Sequence, residues 1–171
     1  MSETIEYKSP IGKLLLTCNE NAVEALLFSD DDLANSALLN KDCIQKETYT
    51  LPVTKQAVKE LTNYFDGSNF QFSVKLQQQG TEFQQSVWDA LTKIKPGATQ
   101  SYLQLSKSLG NAKAIRAVGT ANGRNSISIM VPCHRVIGSN GSLVGYGGGL
   151  WRKKWLLEHE AKHLSGMRLL F

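Results

Sequence analysis

The sequence lacks any long apolar run, and this absence limits what the protein can be. Hydrophobic residues make up 42% of the 171 positions, but they occur in short groups between polar residues. A membrane-spanning helix needs about 20 consecutive apolar residues, so a transmembrane protein is excluded. The acidic N-terminus also lacks the basic-then-apolar layout of a signal peptide. We therefore expect a cytoplasmic globular protein with no membrane partner, long enough for one domain or two small ones.

Cysteine is scarce, and the cysteines present are far apart. The three residues Cys18, Cys43 and Cys133 are odd in number, which argues against a disulfide framework and for a reducing compartment. Cys18 and Cys43 have no nearby histidine and no C-x-x-C spacing, so a zinc site is not expected there. The glycine-rich segment Gly145–Gly149 lacks the Lys-Ser/Thr ending of a P-loop. We expect neither a metal nor a cofactor.

Acidic residues are also scarce in the second half of the chain. Residues 1–80 carry 7 Lys or Arg against 11 Asp or Glu, a net charge of −4, whereas residues 81–171 carry 12 against 4, a net charge of +8. This imbalance favours a polyanionic partner for the second half. On charge alone, a solvated basic face with no partner is the alternative.

The first half has the pattern of a small α+β unit with an antiparallel meander and one helix. We expect a domain over residues 1–78, followed by a linker at Gln77–Gly80. The predicted elements are strands at Thr4–Tyr7, Lys13–Cys18 and Ala22–Phe28, an acidic loop or helix start at Ser29–Asp32, and a strand at Phe70–Leu76. A helix is predicted after Pro52, with Val58, Leu61 and Phe65 on one face, and it stops at Asp66-Gly67.

The second half, residues 79–171, has a mostly helical pattern. Two short helices joined by Gly110-Asn111 have the layout of a helix-turn-helix, a weak signal because helical hairpins are common. The basic start of the last helix opposes the helix dipole and would be tolerated if it faced an anion. Four helices are predicted. The first begins at a capping box at Thr81 and has Phe83, Val87, Trp88, Leu91 and Ile94 inward, and the second begins at a capping box at Ser101. The third spans Ala112–Asn122, and the fourth spans Trp151–His163 with Leu156 and Leu157 inward.

One stretch of the second half combines reactive side chains with buried flanks. Residues Ile127–Ile137 form a short apolar run that ends at Pro132 and resumes after Arg135, which predicts buried strand on both sides. Between the flanks stand Cys133, His134 and Arg135. A cysteine thiolate is nucleophilic, and its pKa of roughly 8.5 falls beside His⁺, Arg or Lys. A buried structural cysteine is the alternative, but it would not require these neighbours.

A second motif, His159-Glu160-Ala161-Lys162-His163, matches the H-E-x-x-H pattern of zinc proteases. A catalytic zinc needs a third protein ligand, and no His, Asp, Glu or Cys follows His163. We therefore interpret His163 as a solvated histidine near a helix C-terminus.

Together these motifs resemble the O6-alkylguanine-DNA alkyltransferase family, whose members are methylated-DNA–protein-cysteine methyltransferases. The resemblance covers about Thr81 to Glu160. It implies an α+β fold with a ribonuclease H-like domain over 1–78 and a DNA-binding, alkyl-acceptor domain over 79–171 that contains a winged helix-turn-helix. The matching residues are Tyr102, Ile115–Gly119, Asn125, Val131–Ile137, Gly145-Tyr146, Gly148-Gly149, Trp155–Leu157 and His159-Glu160.

The resemblance also implies roles for individual residues. Cys133 would accept the alkyl group, His134 would act as base through a water and be oriented by Glu160, and Asn125 would hold the active-site turn. Tyr102 would protonate the leaving guanine, and Arg116 would enter the base stack in place of the flipped nucleotide. The implied DNA-binding residues are Arg116, Tyr102, Ile115, Lys113 and Arg135, and the implied pocket residues are Val136, Tyr146, Gly147 and Gly148. Arg135, which follows the Cys-His pair, is also interpreted as structural and electrostatic support.

The implied function is repair of O6-alkylguanine, and of O4-alkylthymine, in double-stranded DNA. The protein would be a monomer that binds the minor groove with low sequence specificity and acts once. Ile115 and Gly147 depart from the family pattern, since a small residue and, in some members, serine stand there. A lesion-sensing DNA-binding protein and a Cys-His hydrolase are the alternatives: the first would not need Cys133, and the second would need an oxyanion hole for which the sequence gives no separate sign.

Overall fold

The computed structural model describes residues 1–29 and 49–164. The predicted acidic segment Asp30–Asp32, Cys43 and the tail from Ser165 lie outside the described residues. The chain forms two compact units, Met1–Gln78 and Gln79–Phe171. None of the described helices is long and apolar enough to cross a membrane.

The first unit contains the antiparallel meander that the sequence predicts. Strands β1 (Ser2–Ser9), β2 (Gly12–Asn19) and β3 (Val23–Phe28) are hydrogen-bonded in chain order. Alternate residues point to one face, so the strands bury a common set of side chains. The fully buried apolar residues of the sheet include Ile5, Leu14, Leu16, Val23 and Leu26.

Helix α1 (Pro52–Asp66) packs on the meander and ends at Gly67, whose φ of 80° provides the left-handed cap. The predicted helix is confirmed, but its buried face is Thr54, Ala57, Leu61 and Tyr64. Of the three residues predicted on one face, Leu61 is buried, whereas Val58 and Phe65 are half-buried.

The prediction of a strand at Phe70–Leu76 is also wrong. Leu76 makes an isolated bridge with Val23, and the rest of the segment is irregular. Its backbone is satisfied by a side chain instead: Glu60 accepts the N–H groups of Ser73 and Val74 at 3.0 and 3.1 Å.

The second unit begins with helix α2 (Glu82–Thr92). Its capping box at Thr81 is present, and Val87, Trp88 and Leu91 are buried as predicted. Phe83 is 39% exposed, so its predicted inward position is wrong. A Cβ at Gly80 would lie 2.6 Å from the Trp88 ring, so only glycine fits where the chain enters this unit.

The helix pair follows the short strand β4 (Gln100–Ser101). Helix α3 (Tyr102–Ser108) has the predicted capping box at Ser101. Helix α4 (Ile115–Gly123) begins three residues later than predicted, because the Asn111 side chain accepts the Lys113 N–H in a tight turn. The Trp88 Nε1–H donates to the Ala121 carbonyl at 2.9 Å and ties α2 to α4.

The reactive stretch is not flanked by strand on both sides. Residues 127–131 form a buried turn, Cys133–Arg135 form a single 3₁₀ turn, and only β5 (Val136–Ile137) is strand, paired parallel with β4. Helix α5 (Leu150–Leu164) closes the unit with Leu156 and Leu157 buried as predicted. The α+β fold class is confirmed.

Candidate active site

The turn before Cys133 is held by the side chain of Asn125. Its Oδ1 accepts the Ile127 N–H at 3.0 Å, and its Nδ2 donates to the carbonyls of Val131 and Ile127 at 2.8 and 3.4 Å. Within this turn Ile129 is buried at a φ of 72°, which is unusual for a β-branched residue. Cys133 follows this turn and is the first residue of the 3₁₀ helix Cys133–Arg135.

The Cys133 thiol is 6% exposed, and burial raises its pKa. Hydrogen bonds from the Asn125 side chain and from the backbone N–H groups of Cys133 and His134 oppose this rise, as does the charge of Lys153. The expectation that the neighbouring His134 and Arg135 would lower the thiol pKa is wrong, because both side chains are directed to Glu160. The thiol is the resting form, and the groups around it favour the thiolate once it forms.

Glu160 is the centre of a buried ion network. It accepts from His134 Nε2 at 2.7 Å, from Arg135 Nε at 3.0 Å and Nη2 at 2.9 Å, and from the Gly97 N–H at 3.0 Å. Burial alone would raise the pKa of Glu160, but His134 and Arg135 together hold that pKa well below its usual value. Glu160 is therefore ionised and bound to protein donors. Its presence in the H-E-x-x-H motif is thus explained without a zinc ion.

His134 is fully buried, and burial lowers its pKa despite the Glu160 carboxylate. The neutral imidazole has one donor and one acceptor nitrogen. Since Nε2 donates to the ionised Glu160, Nδ1 is the acceptor, and it has no hydrogen-bond partner within the described part of the chain. His134 is thus arranged to take up a proton at Nδ1.

Arg135 is 4% exposed, and its third contact is a hydrogen bond from Nη1 to the Ile94 carbonyl at 2.7 Å. Its guanidinium is buried and bound to protein acceptors, which supports its interpretation as structural and electrostatic support rather than as a DNA contact. Arg135 holds Glu160 ionised beside His134.

Tyr102 is a second titratable group near the thiol. Its hydroxyl donates to the Val144 carbonyl at 3.1 Å. Burial raises the Tyr102 pKa, the Cys133 sulfur adds to the rise, and the amide of Asn122 opposes it. Tyr102 is therefore protonated at neutral pH and can act as a proton donor.

Lys153 is a site residue that the sequence reasoning did not select. Its side chain is buried, and its Nζ donates to the carbonyls of Val144 and Gly145 at 2.9 and 3.2 Å. Burial lowers its pKa to about 8, while Cys133 acts in the opposite direction. Its signal in the sequence was the unfavourable cation at the start of α5, which contacts loop carbonyls rather than an anion.

Three of the predicted pocket residues lie in the glycine-rich segment Gly145–Gly149. Val136 is buried, and the hydroxyl of Tyr146 is buried with a pKa raised well above its usual value, mainly by desolvation. The Gly148 carbonyl accepts from Arg152 at 3.0 Å. A Cβ at Gly147 would meet nothing within 4 Å, so the structure leaves space at this position.

Three of the predicted DNA-binding residues lie at the exposed start of α4. Lys113 precedes the helix, Ile115 opens it and is 40% exposed, and Arg116 is exposed beside it. A Cβ at Gly119, one turn further on, would lie 3.9 Å from the Tyr102 ring. The Tyr102 ring therefore lies beside α4, one turn beyond its exposed start.

Two family models match the chain. The model described as 6-O-methylguanine DNA methyltransferase, ribonuclease-like domain, matches residues 5–78, and the model of the DNA binding domain of the same enzyme matches residues 82–162. The chain is 55% identical over 166 residues to a methylated-DNA–protein-cysteine methyltransferase of Mycobacterium leprae, covering 95% of this chain and 94% of the relative. It is 45% identical over 158 residues to the protein of that name from Methanosarcina mazei, covering 92% and 96%.

Among solved structures, the chain is similar to Mycobacterium tuberculosis OGT in complex with DNA. The TM-score is 0.82 with 39% identity, and the match covers 94% of each chain. The structure of the O6-methylguanine methyltransferase of the same organism gives a TM-score of 0.79 with 38% identity, covering 98% of this chain and 97% of that one.

Proposed function

The chain belongs to the 6-O-methylguanine DNA methyltransferase family, and we propose that it repairs O6-alkylguanine in DNA by moving the alkyl group to Cys133. The observation that carries this proposal is the setting of Cys133. The buried thiol has near it both a proton acceptor held by an ionised carboxylate, His134-Glu160, and a protonated phenol, Tyr102. A plain buried cysteine would have neither.

The reaction is a displacement at the alkyl carbon. The Cys133 proton passes through a water to His134 Nδ1, the sulfur attacks the carbon, and the C–O bond to guanine breaks as the C–S bond forms. The sulfur must approach to about 3–3.5 Å of the carbon, in line with the C–O bond. Tyr102 gives its proton to a ring nitrogen, so guanine leaves as a neutral base rather than an anion.

The lesion must be brought to this buried thiol. An alkylated base stacked in a duplex cannot reach Cys133, so the nucleotide has to be flipped out of the helix. We propose that α4 lies in the minor groove, that Arg116 fills the gap in the base stack, and that Lys113 contacts a phosphate. These contacts depend on the flipped damaged base and on the phosphate backbone rather than on the base sequence, so sequence specificity should be low.

The same pocket would act on O4-alkylthymine, which presents an alkyl group on a comparable ring oxygen. The thioether product is stable, so each molecule would act once. The proposal further places the protein in the cytoplasm as a monomer, with residues 1–78 as a ribonuclease H-like domain and residues 79–171 as the DNA-binding and acceptor domain.

The test is the intact mass of the protein after incubation with a duplex that contains one O6-methylguanine, followed by peptide mapping. We expect one added methyl group, on Cys133, in one-to-one yield. The Cys133→Ser variant should gain none, whereas Cys18→Ser, which removes the other buried free cysteine of the described residues, should gain one. Binding of the duplex without any mass change would instead identify a lesion-sensing protein.

The open space at Gly147 bears on which alkyl groups are accepted. Because a Cβ there meets nothing within 4 Å, Gly147→Ser should fold normally and narrow the pocket. We expect the variant to slow transfer of benzyl more than transfer of methyl. An unchanged ratio of the two rates would show that Gly147 does not set the alkyl range.

A further inference from the structure

The exposed face of α4 carries a second arginine, which the site described above does not use. Arg124 follows the last residue of α4, and its backbone N–H still bonds to the Thr120 carbonyl at 3.1 Å, so Arg124 continues the helical turn. Arg116, Thr120 and Arg124 are spaced by four residues, and all three are exposed. Residues at this spacing are neighbours on a helix surface. The two arginines therefore belong to one exposed face of α4.

The opposite face of α4 is used for packing. Val118 and Ala121 are buried, and the Ala121 carbonyl accepts the indole N–H of Trp88. Between the two arginines, the exposed residues have short side chains or none: Ala117, Thr120 and Gly123. A partner can thus approach this face closely between two long cationic side chains.

The Arg124 guanidinium makes no hydrogen bond or ion pair with any residue of 1–29 or 49–164. The last carbonyls of α4 accept the Arg124 backbone N–H, so the side chain is not needed to cap the helix. A favourable interaction with the helix dipole is the alternative explanation of an arginine at this position. A partner outside the chain is the other.

The separation of the two arginines fits a contact with the DNA backbone. Eight residues of helix span about 12 Å, whereas the minor groove is about 6 Å wide. A helix that crosses the groove with Arg116 at the bases puts its far end over a sugar–phosphate strand, and a helix that follows the groove has phosphates on both sides. A guanidinium can bind a phosphate with two parallel hydrogen bonds.

We propose that Arg124 binds a DNA phosphate and anchors the end of α4 to the backbone of the duplex whose base stack Arg116 enters. The inference rests on the proposed function, because it takes α4 to face DNA. A phosphate contact carries no sequence information, so Arg124 should strengthen binding to damaged and undamaged duplexes alike.

The test is the salt dependence of binding, measured by fluorescence anisotropy of a labelled, undamaged duplex between about 50 and 200 mM salt. Losing one phosphate contact lowers the slope of log affinity against log salt by about 0.9. Arg124→Gln should therefore bind more weakly at low salt, and its deficit should shrink about 3.5-fold over this range. The deficit should be the same for duplexes of different sequence. An unchanged slope would overturn the proposal, whatever the affinity.

Two further variants separate a phosphate contact from a general loss of positive charge. Arg124→Lys keeps the charge and should keep most of the slope. Lys162→Gln removes another exposed cation from the last turn of a helix, α5, and should leave the slope as it was. If Arg124 serves only the helix dipole, Arg124→Gln will behave as Lys162→Gln does, and the proposal is wrong.

Binding to an undamaged duplex needs no alkyl transfer, which separates this inference from the proposed function. If the unsubstituted protein binds with a slope that depends on Arg124 but transfers no methyl group from a damaged duplex, the alkyl-transfer proposal fails and the anchor stands. If it transfers normally and Arg124→Gln has the original slope, only the role of Arg124 is wrong.

Discussion

The two units of the chain bury different kinds of side chain. Among the described residues, the buried set of the first unit is apolar except for Thr54. The second unit buries ionisable groups, namely His134, Arg135, Arg152, Lys153, His159 and Glu160, in addition to Ser106, Asn122, Asn125 and Ser128. Buried charge contributes little net stability even when it is paired. The difference therefore indicates that the first unit is built for packing and the second carries groups retained for chemistry.

Of the substitutions that test this difference between the units, Glu160→Ala should have the largest effect on stability. Removing the carboxylate leaves the Arg135 charge buried without its partner, which costs about 3–5 kcal/mol in the free energy of unfolding. Urea unfolding followed by tryptophan fluorescence measures this unit alone, because Trp88, Trp151 and Trp155 all lie in it.

The control is Glu158→Ala on the same helix. Glu158 is exposed and pairs with Lys154 at 3.9 Å, so its loss should cost less than about 1 kcal/mol. If Glu160→Ala lowered the free energy of unfolding no more than Glu158→Ala does, the buried ion network would not stabilise this unit.

The next effect should come from Lys153→Met, which removes the cation near the thiol but keeps an apolar stem. Replacing a buried charge by an apolar group is often neutral for stability, so we expect a change within about 1 kcal/mol. Methyl transfer should slow at least about 10-fold, because the ammonium no longer favours the thiolate. The exposed Lys154→Met is the matched control and should leave the rate unchanged. A variant that lost stability but kept its rate would place Lys153 with the structural residues.

The elements of the first unit were largely predictable because their signals are local. Alternating apolar residues and turn residues set the meander, and Gly67 set the end of α1. The failures had non-local causes. Phe70–Leu76 reads as a strand, but Glu60 from α1 satisfies its backbone, and no short-range pattern reports that contact.

At the site, the identity of Cys133 followed from its motif, but its electrostatics did not. His134 and Arg135 adjoin it in sequence, yet the 3₁₀ turn directs both to Glu160, 25 or 26 residues away. Lys153 supplies the nearby charge from a helix start, where the sequence predicted a cation that would be tolerated if it faced an anion.

A smaller effect, confined to the first unit, should come from Glu3→Gln. Glu3 on β1 accepts from Thr50 Oγ1 and from the N–H groups of Thr50 and Leu51, just before α1. Weakening these bonds should cost about 1–2 kcal/mol, visible as faster hydrogen exchange of the α1 amides. The exposed Glu20→Gln is the control for exchange. Methyl transfer should be unchanged in both variants, and a slower rate in Glu3→Gln would contradict the division of roles between the units.

The smallest effect should be a difference in acid sensitivity. Burial lowers the His134 pKa from its usual 6.5, so the unfolded chain binds more protons than the folded one as the pH falls below 6.5. The second unit should then lose up to about 1.4 kcal/mol of stability per pH unit until the folded pKa is reached. Glu3 has a pKa lowered from 4.5 to about 2: burial opposes this shift, but hydrogen bonds from Thr50 and Leu51 outweigh it. Its stabilisation of the first unit is therefore present above pH 4.5 and lost only as the pH falls toward about 2.

Tryptophan fluorescence, which reports the second unit, should therefore show weakening against urea at a pH where hydrogen exchange of the β1 and α1 amides is still unchanged after correction for intrinsic rates. In Glu3→Gln the acid loss of the first unit should become smaller, since this titrating carboxyl is gone while Glu60, whose pKa is also lowered, remains. The fluorescence profile should stay as it was. Equal acid profiles for the two units in the unsubstituted protein would mean that buried His134 does not set the acid limit of the second unit. The contrast between an apolar core and a charged one would then have no consequence for stability in this pH range.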